Sequence, residues 1–145
     1  MHLKYLVIVL SLSSSFAAQA NTYVKCGKTV DFEAFEVTNY ELELSSEGSD
    51  DYSGPVGKNW NMKLGDEDSD WLEFNPAITA KNYEENDTVV VEIKIKTATS
   101  ASGAVGTRYK LIGLYDEAPI LEKYTMGGFA GAVKIGTYQC LSGND

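Results

Sequence analysis

Histidine is all but missing from this chain. The single one, His2, falls within the first twenty residues, which read as a leader that is removed. A Ser-His-Asp or Cys-His catalytic unit is thereby excluded from the mature chain, as is any zinc, copper or non-haem iron site built on imidazole. Cysteine is scarce too. The two present, Cys26 and Cys140, have no Cys-x-x-Cys spacing and no neighbouring ligands, so a redox-active or metal-binding thiol pair is not the expectation. Long hydrophobic runs are lacking: the run from Tyr5 to Leu10, continued through Leu12, is too short to span a bilayer as a helix, and no later segment approaches the roughly 20 apolar residues that spanning needs. Membrane insertion is not expected.

Positive charge is also in short supply. Lys4 ahead of the apolar run, the small residues up to Phe16 and the Ala18-Gln19-Ala20 end together read as a signal peptide over 1–20 with cleavage before Asn21. The mature chain, 21–145, then carries 11 basic against 21 acidic side chains, a balance of −10. That surface repels nucleic acid and anionic lipid and attracts a cationic partner over a Debye length of about 8 Å. Residues 22–25 ahead of Cys26 are not a lipobox. A periplasmic or secreted location is the expectation, with one domain and a Cys26–Cys140 bridge formed in an oxidising compartment.

What is plentiful is alternation with a period of two. Val30, Phe32 and Ala34 share one parity; it slips at Ala34-Phe35, and Tyr40, Leu42 and Leu44 then alternate with Glu41 and Glu43 outward. Trp60, Met62 and Leu64 follow the same rule. The strongest strand runs from Val89 to Lys96, with Val89, Val91, Ile93 and Ile95 inward. A small-residue turn from Thr97 to Gly106 leads to a strand from Arg108 to Tyr115. The loop Asp116-Glu117-Ala118-Pro119 joins it to another at Ile120 to Thr125, and a glycine-spotted strand runs from Phe129 to Cys140. The stretch from Pro76 to Tyr83 admits a short helix. No heptad and no repeat is present. The expected fold is all-β: an antiparallel sandwich or small barrel of about seven to eight strands, closed by one disulfide.

Asp66, Asp68 and Asp70 stand at the opening spacing of a calcium loop, but Trp71 occupies the place of its glycine and Ala77 that of its bidentate glutamate. A solvated acidic loop is the simpler reading, and no cofactor is required. Gly127-Gly128-Phe129-Ala130-Gly131 lacks the Lys-Ser/Thr and helix of a phosphate cradle. Tyr52, Tyr83 and Tyr109 flank loops and are candidate contact residues, whereas Trp60 and Trp71 are assigned to packing.

The segment Ser100-Ala101-Ser102-Gly103-Ala104-Val105-Gly106-Thr107-Arg108-Tyr109 resembles the Ser-Gly-x-x-Tyr loop of the bacterial periplasmic lysozyme inhibitors. Here Ser102-Gly103 precedes Tyr109 by three residues too many, and Gly106-x-x-Tyr109 has Val105 where the motif has serine. The resemblance implies a small exported β-barrel or sandwich whose loop enters the lysozyme cleft, with Ser and Tyr on the catalytic carboxylates. It makes Ser102, Gly103, Gly106 and Tyr109 partner-binding candidates. Arg108 joins them because Arg and Tyr are enriched at interface hot spots. The expected function is inhibition of a cell-wall-degrading enzyme, a cationic hydrolase, by a protein that is not itself an enzyme: a lysozyme inhibitor or an immunity protein to a secreted toxin. The alternative is an exported ligand-binding or calcium-dependent β module.

Overall fold

The computed structural model describes residues 22–46, 61–65, 77–100, 103–127 and 131–144. All regular structure among them is β: β1 (Thr22–Gly27), β2 (Val30–Asp31), β3 (Glu36–Val37), β4 (Tyr40–Ser45), β5 (Asn61–Leu64), β6 (Ile78–Glu85), β7 (Thr88–Ser100), β8 (Gly103–Ile112), β9 (Ile120–Met126) and β10 (Val133–Asn144). Eight of these form one antiparallel sheet in the order β5-β4-β1-β10-β9-β8-β7-β6, and β2 and β3 form a separate ribbon.

The sheet is curled. Val24, Leu42, Leu44 and Met62 from β1, β4 and β5 share one buried cluster with Val91, Ile93, Leu111 and Leu121 from β7, β8 and β9, although five strands stand between β5 and β7 in the sheet. One face has therefore closed on itself, as in a small barrel, and the alternation in β7 follows directly: Val91 and Ile93 are fully buried inside, with Val89 and Ile95 packed beside them. Asn86 and Asp87 take φ values of 54° and 62°, the positive pair that a two-residue hairpin demands and that Asn and Asp tolerate. They pin β6 to β7 with Glu85 opposite Thr88.

Three register shifts bend this sheet: at Glu41 in β4, Thr97 in β7 and Ile135 in β10. The first overturns the outward placing of Glu41. Gly27 pairs with Tyr40 but Cys26 pairs with Leu42, so Glu41 is the extra residue of a bulge, which re-aims a side chain.

Other expectations change for local reasons. Val30 to Ala34 is not a strand: β2 stops at Asp31, whose carboxylate accepts the N–H groups of Glu33 (3.0 Å) and Ala34 (3.1 Å) and turns the chain. Phe35 closes that turn at φ 53°, a left-handed conformation that costs an L-residue about 1 kcal/mol or more. Pro76 to Tyr83 holds no helix among its described residues. Ile78, Ala80 and Asn82 pair with Ile95, Ile93 and Val91, a strand parity that alanine and asparagine had hidden. Thr97 to Gly106 is not a turn either, because its Thr and Val residues suit a strand and continue the β7–β8 ladder to Ser100 and Gly103.

Cys26 and Cys140 lie directly opposite one another on β1 and β10, bonded and fully buried. Their sequence separation is 114, and a loop that long is worth about 5 kcal/mol in the chain-entropy account. Freshly purified protein is predicted to show no thiol reactive under denaturing conditions, and Cys140→Ser to lower the melting temperature by about 10 °C or more. Two reactive thiols in the wild-type protein would contradict the bridge.

Candidate functional site

The far end of the β7–β8 hairpin runs beyond the paired parts of both neighbouring strands. The β6 ladder ends at Ile78 opposite Ile95, and the β9 ladder ends at Met126 opposite Gly106. The pairs Ala98–Val105, Thr99–Ala104 and Ser100–Gly103 continue beyond both. Three rungs at about 3.3 Å each carry the hairpin roughly 10 Å past the last paired residues of β6 and β9. Among the described residues the chain at Gly127 runs against it, where a Cβ would press on Val105. The side chains of Thr97, Ala98, Thr99 and Ala104 are small and exposed. Thr97, the bulge residue, donates its hydroxyl to the Val105 carbonyl at 3.1 Å. Gly106 is required at this bulge, since a Cβ there would overlap the Ile95 carbonyl. Gly103, at φ 118°, holds a backbone that only glycine adopts readily.

Below the hairpin, the outer face of β6 to β10 carries half of the chain's cations. The registers set Thr79, Lys94, Arg108, Tyr124 and Lys134 in one cross-strand row and Lys81, Glu92, Lys110 and Glu122 in the next. Glu92 is only 8% exposed. It faces Lys94 at 3.4 Å and the Arg108 Nε at 4.0 Å, and it accepts from the Tyr83 hydroxyl at 3.3 Å. Burial pushes its carboxyl up, but Arg108, Lys81 and Lys94 together outweigh that and hold it below the ordinary range. Glu122 is held low in the same way: burial opposes ionisation, and hydrogen bonds from Lys134 and Tyr124 prevail. The Arg108 guanidinium lies over the Tyr124 ring, 4.8 Å from its centroid, within the range of a cation–π contact. A cavity of about 140 Å³ opens beside Glu92, lined by Thr79, Ala80, Lys81 and Lys94.

Inside the barrel the bulge at Glu41 has a chemical purpose. Its carboxylate accepts the Tyr109 hydroxyl at 2.9 Å and pairs with the Lys123 ammonium. Burial and the Glu41 charge together push the Tyr138 hydroxyl above its ordinary pKa as well. Burial first, and the Glu41 charge second, drive the Tyr109 hydroxyl far above its ordinary pKa, so it stays a neutral donor. β4 thus reaches across the interior to β8, β9 and β10.

The candidates read from the sequence therefore separate. Gly103 sits near the hairpin tip and Gly106 at its base, while Ser102 lies outside the described residues. Arg108 is on the outer face, packed on Tyr124 and Glu92. Tyr109 is on the inner face and 4% exposed, which leaves it no surface for a partner. Tyr83 is engaged with Glu92; Tyr52, Trp60 and Trp71 are outside the described residues, as are Asp66, Asp68 and Asp70. Among the described residues no group of three or more acidic, histidine or cysteine side chains is placed to hold a metal. No helix among them is long and apolar enough to cross a membrane. Sequence reading missed Glu41, Lys123 and Glu92, all charged residues on strands. The one available signal was the broken parity before Tyr40.

Comparison with protein families, with curated proteins and with solved structures finds no match to this chain.

Because Glu92 ionises more readily in the folded protein than in the unfolded chain, its contribution to stability is present above the ordinary carboxylate pKa and is lost as pH falls through the lowered folded value. Glu92→Gln is predicted to cost about 1 kcal/mol at neutral pH and to flatten the decline in melting temperature between about pH 6 and about pH 3. Parallel melting profiles for the two proteins would contradict this.

Proposed function

We propose that this chain is an exported protein that binds and neutralises a cell-wall-degrading enzyme, and that the end of the β7–β8 hairpin is the part that enters the enzyme's cleft. The observation that carries the reading is the continuation of three ladder rungs past the last paired residues of β6 and β9, with exposed Thr and Ala side chains and the Gly127 backbone alone beside them among the described residues. A two-stranded finger of small side chains meets little steric resistance in a groove, and its paired backbone loses little entropy on binding.

Export is supported by the leader-like first twenty residues and by the disulfide, which suits an oxidising compartment. The charge pattern supports the target. Muramidase clefts work through a pair of carboxylates, and the hairpin rises from a face bearing Lys94, Lys96 and Arg108. Most of the remaining chain is acidic, which steers approach to a cationic hydrolase and raises the association rate more than the affinity. With Tyr109 buried, contact falls to Thr97, Thr99, Lys96, Gly103 and Ala104. Blocking by occupancy needs no catalytic residue in the blocker.

The test is a panel of muramidases of different structural types, assayed on cell walls with the purified mature protein. At least one is expected to be inhibited stoichiometrically, with inhibition weakened by rising salt. Ala104→Glu, which sets a carboxylate at the hairpin end, is expected to weaken that inhibition by about 2 kcal/mol or more while the circular dichroism spectrum stays unchanged. A panel with no inhibited enzyme, or an Ala104→Glu variant as potent as wild type, would refute the reading.

A further inference from the structure

A second surface, distant in sequence from the hairpin, has the physical character of a docking site: the turn joining β2 to β3. Phe32 and Phe35 are each 50% exposed there, two aromatic rings three residues apart. They do not hang on a loose loop. Asp31 fixes the first half of the turn through two N–H groups. On either side of the ribbon, the Lys28 N–H donates to the Asn39 carbonyl and the Thr38 N–H to the Thr29 carbonyl. Val37, 1% exposed, anchors the ribbon against Gly27, where any Cβ would collide with it. The Phe35 ring meets Tyr23 edge to face, with centroids 6.3 Å apart, and lies beside Gly143, whose missing side chain leaves it room.

Two features do not follow from folding alone. Phe35 sits at φ 53°, where glycine or asparagine is the usual choice and a bulky residue is an outlier. Such strain persists where the surroundings hold it, and it clusters at binding sites. The rings are also interleaved with Asp31, Glu33 and Glu36, all exposed. Rigid aromatic anchors interleaved with exposed carboxylates, with Lys25 held over the Tyr23 ring behind them, are the makings of an interface hot spot.

We infer that the Asp31–Glu36 turn docks a basic polypeptide segment that also carries apolar side chains. The carboxylates supply complementarity to its lysines or arginines, and Phe32 and Phe35 supply the desolvated contact. The sign of the rim disfavours nucleic acid and anionic lipid. The inference does not depend on which enzyme, if any, the β7–β8 hairpin blocks.

The test uses the mature, oxidised protein and a fluorescently labelled synthetic peptide of lysine and leucine, followed by anisotropy. A lysine–glycine peptide of equal charge serves as comparison. Saturable binding of the lysine–leucine peptide is expected, about tenfold or more tighter than that of the lysine–glycine peptide. Phe32→Ser combined with Phe35→Gly should weaken it about tenfold or more, and Glu33→Gln with Glu36→Gln should reduce its salt dependence. Phe35→Gly relieves the backbone strain, so its melting temperature should remain within a few degrees of wild type, unlike a residue kept for packing. Phe32→Ser alone keeps the test valid if the double variant fails to fold. The inference is overturned if no saturable binding occurs, if both peptides bind equally, if the phenylalanine variants bind as wild type does, or if phosphatidylcholine vesicles are bound through Phe32 in place of the peptide.

Discussion

The carboxylate of Glu41 holds this barrel shut. A curled sheet whose outermost strands, β5 and β6, form no ladder with each other among the described residues needs something besides hydrogen-bonded strands to keep its two halves together. Apolar contact through Leu42, Leu44, Ile93 and Leu111 supplies most of it, but that contact is non-directional and tolerates slippage. Glu41 adds direction. One anion on β4 receives Tyr109 from β8 and Lys123 from β9, and its charge is felt by Tyr138 on β10. Removing any one donor would leave a half-buried charge short of partners, which is why such clusters fix a single arrangement more than they add net stability. The bulge turns Glu41 inward across the curl, while the disulfide locks the adjacent strands β1 and β10 to each other.

With the interior committed to closure, function falls to the outside. The outer face of β6 to β10 gathers six of the chain's twelve basic residues, Lys81, Lys94, Lys96, Arg108, Lys110 and Lys134, around Glu85, Glu92 and Glu122. The rest of the sequence is strongly acidic. Two structured projections leave this body: the β7–β8 hairpin, small and hydroxyl-bearing above the basic face, and the β2–β3 turn, aromatic with a carboxylate rim. Their opposite chemistries suit contact with different patches of a partner, and both are built on paired backbone, which limits the entropy lost on binding.

The fold was largely legible from period-two patterning because its best strands are amphipathic: Val91, Ile93, Leu42, Leu44 and Met62 are inside as their parity required. The bridge was legible from compartment and cysteine count. The bulges were not. One extra residue inverts parity locally without altering composition, so Glu41 looked solvent-facing; Phe32 looked like part of a strand because the turn made by the Asp31 carboxylate leaves the alternation intact. The hairpin end was read as a turn because small residues mark turns more often than strands, and the long-range pairing of β7 with β8 decided otherwise. Tyr109 illustrates the limit on site reading: a tyrosine beside a Gly-rich segment suits an interface hot spot, yet its strand parity, shared with Leu111, put it in the core.

The binding account is tested most directly by the hydrogen-exchange footprint of the protein with and without a muramidase that it inhibits. The account predicts slowed exchange concentrated in the β7–β8 pairs from Thr97 to Gly106, with amides around Glu41 and the disulfide unchanged because they are already protected. Protection confined to β4 and β5, with the hairpin exchanging as in the free protein, would contradict it.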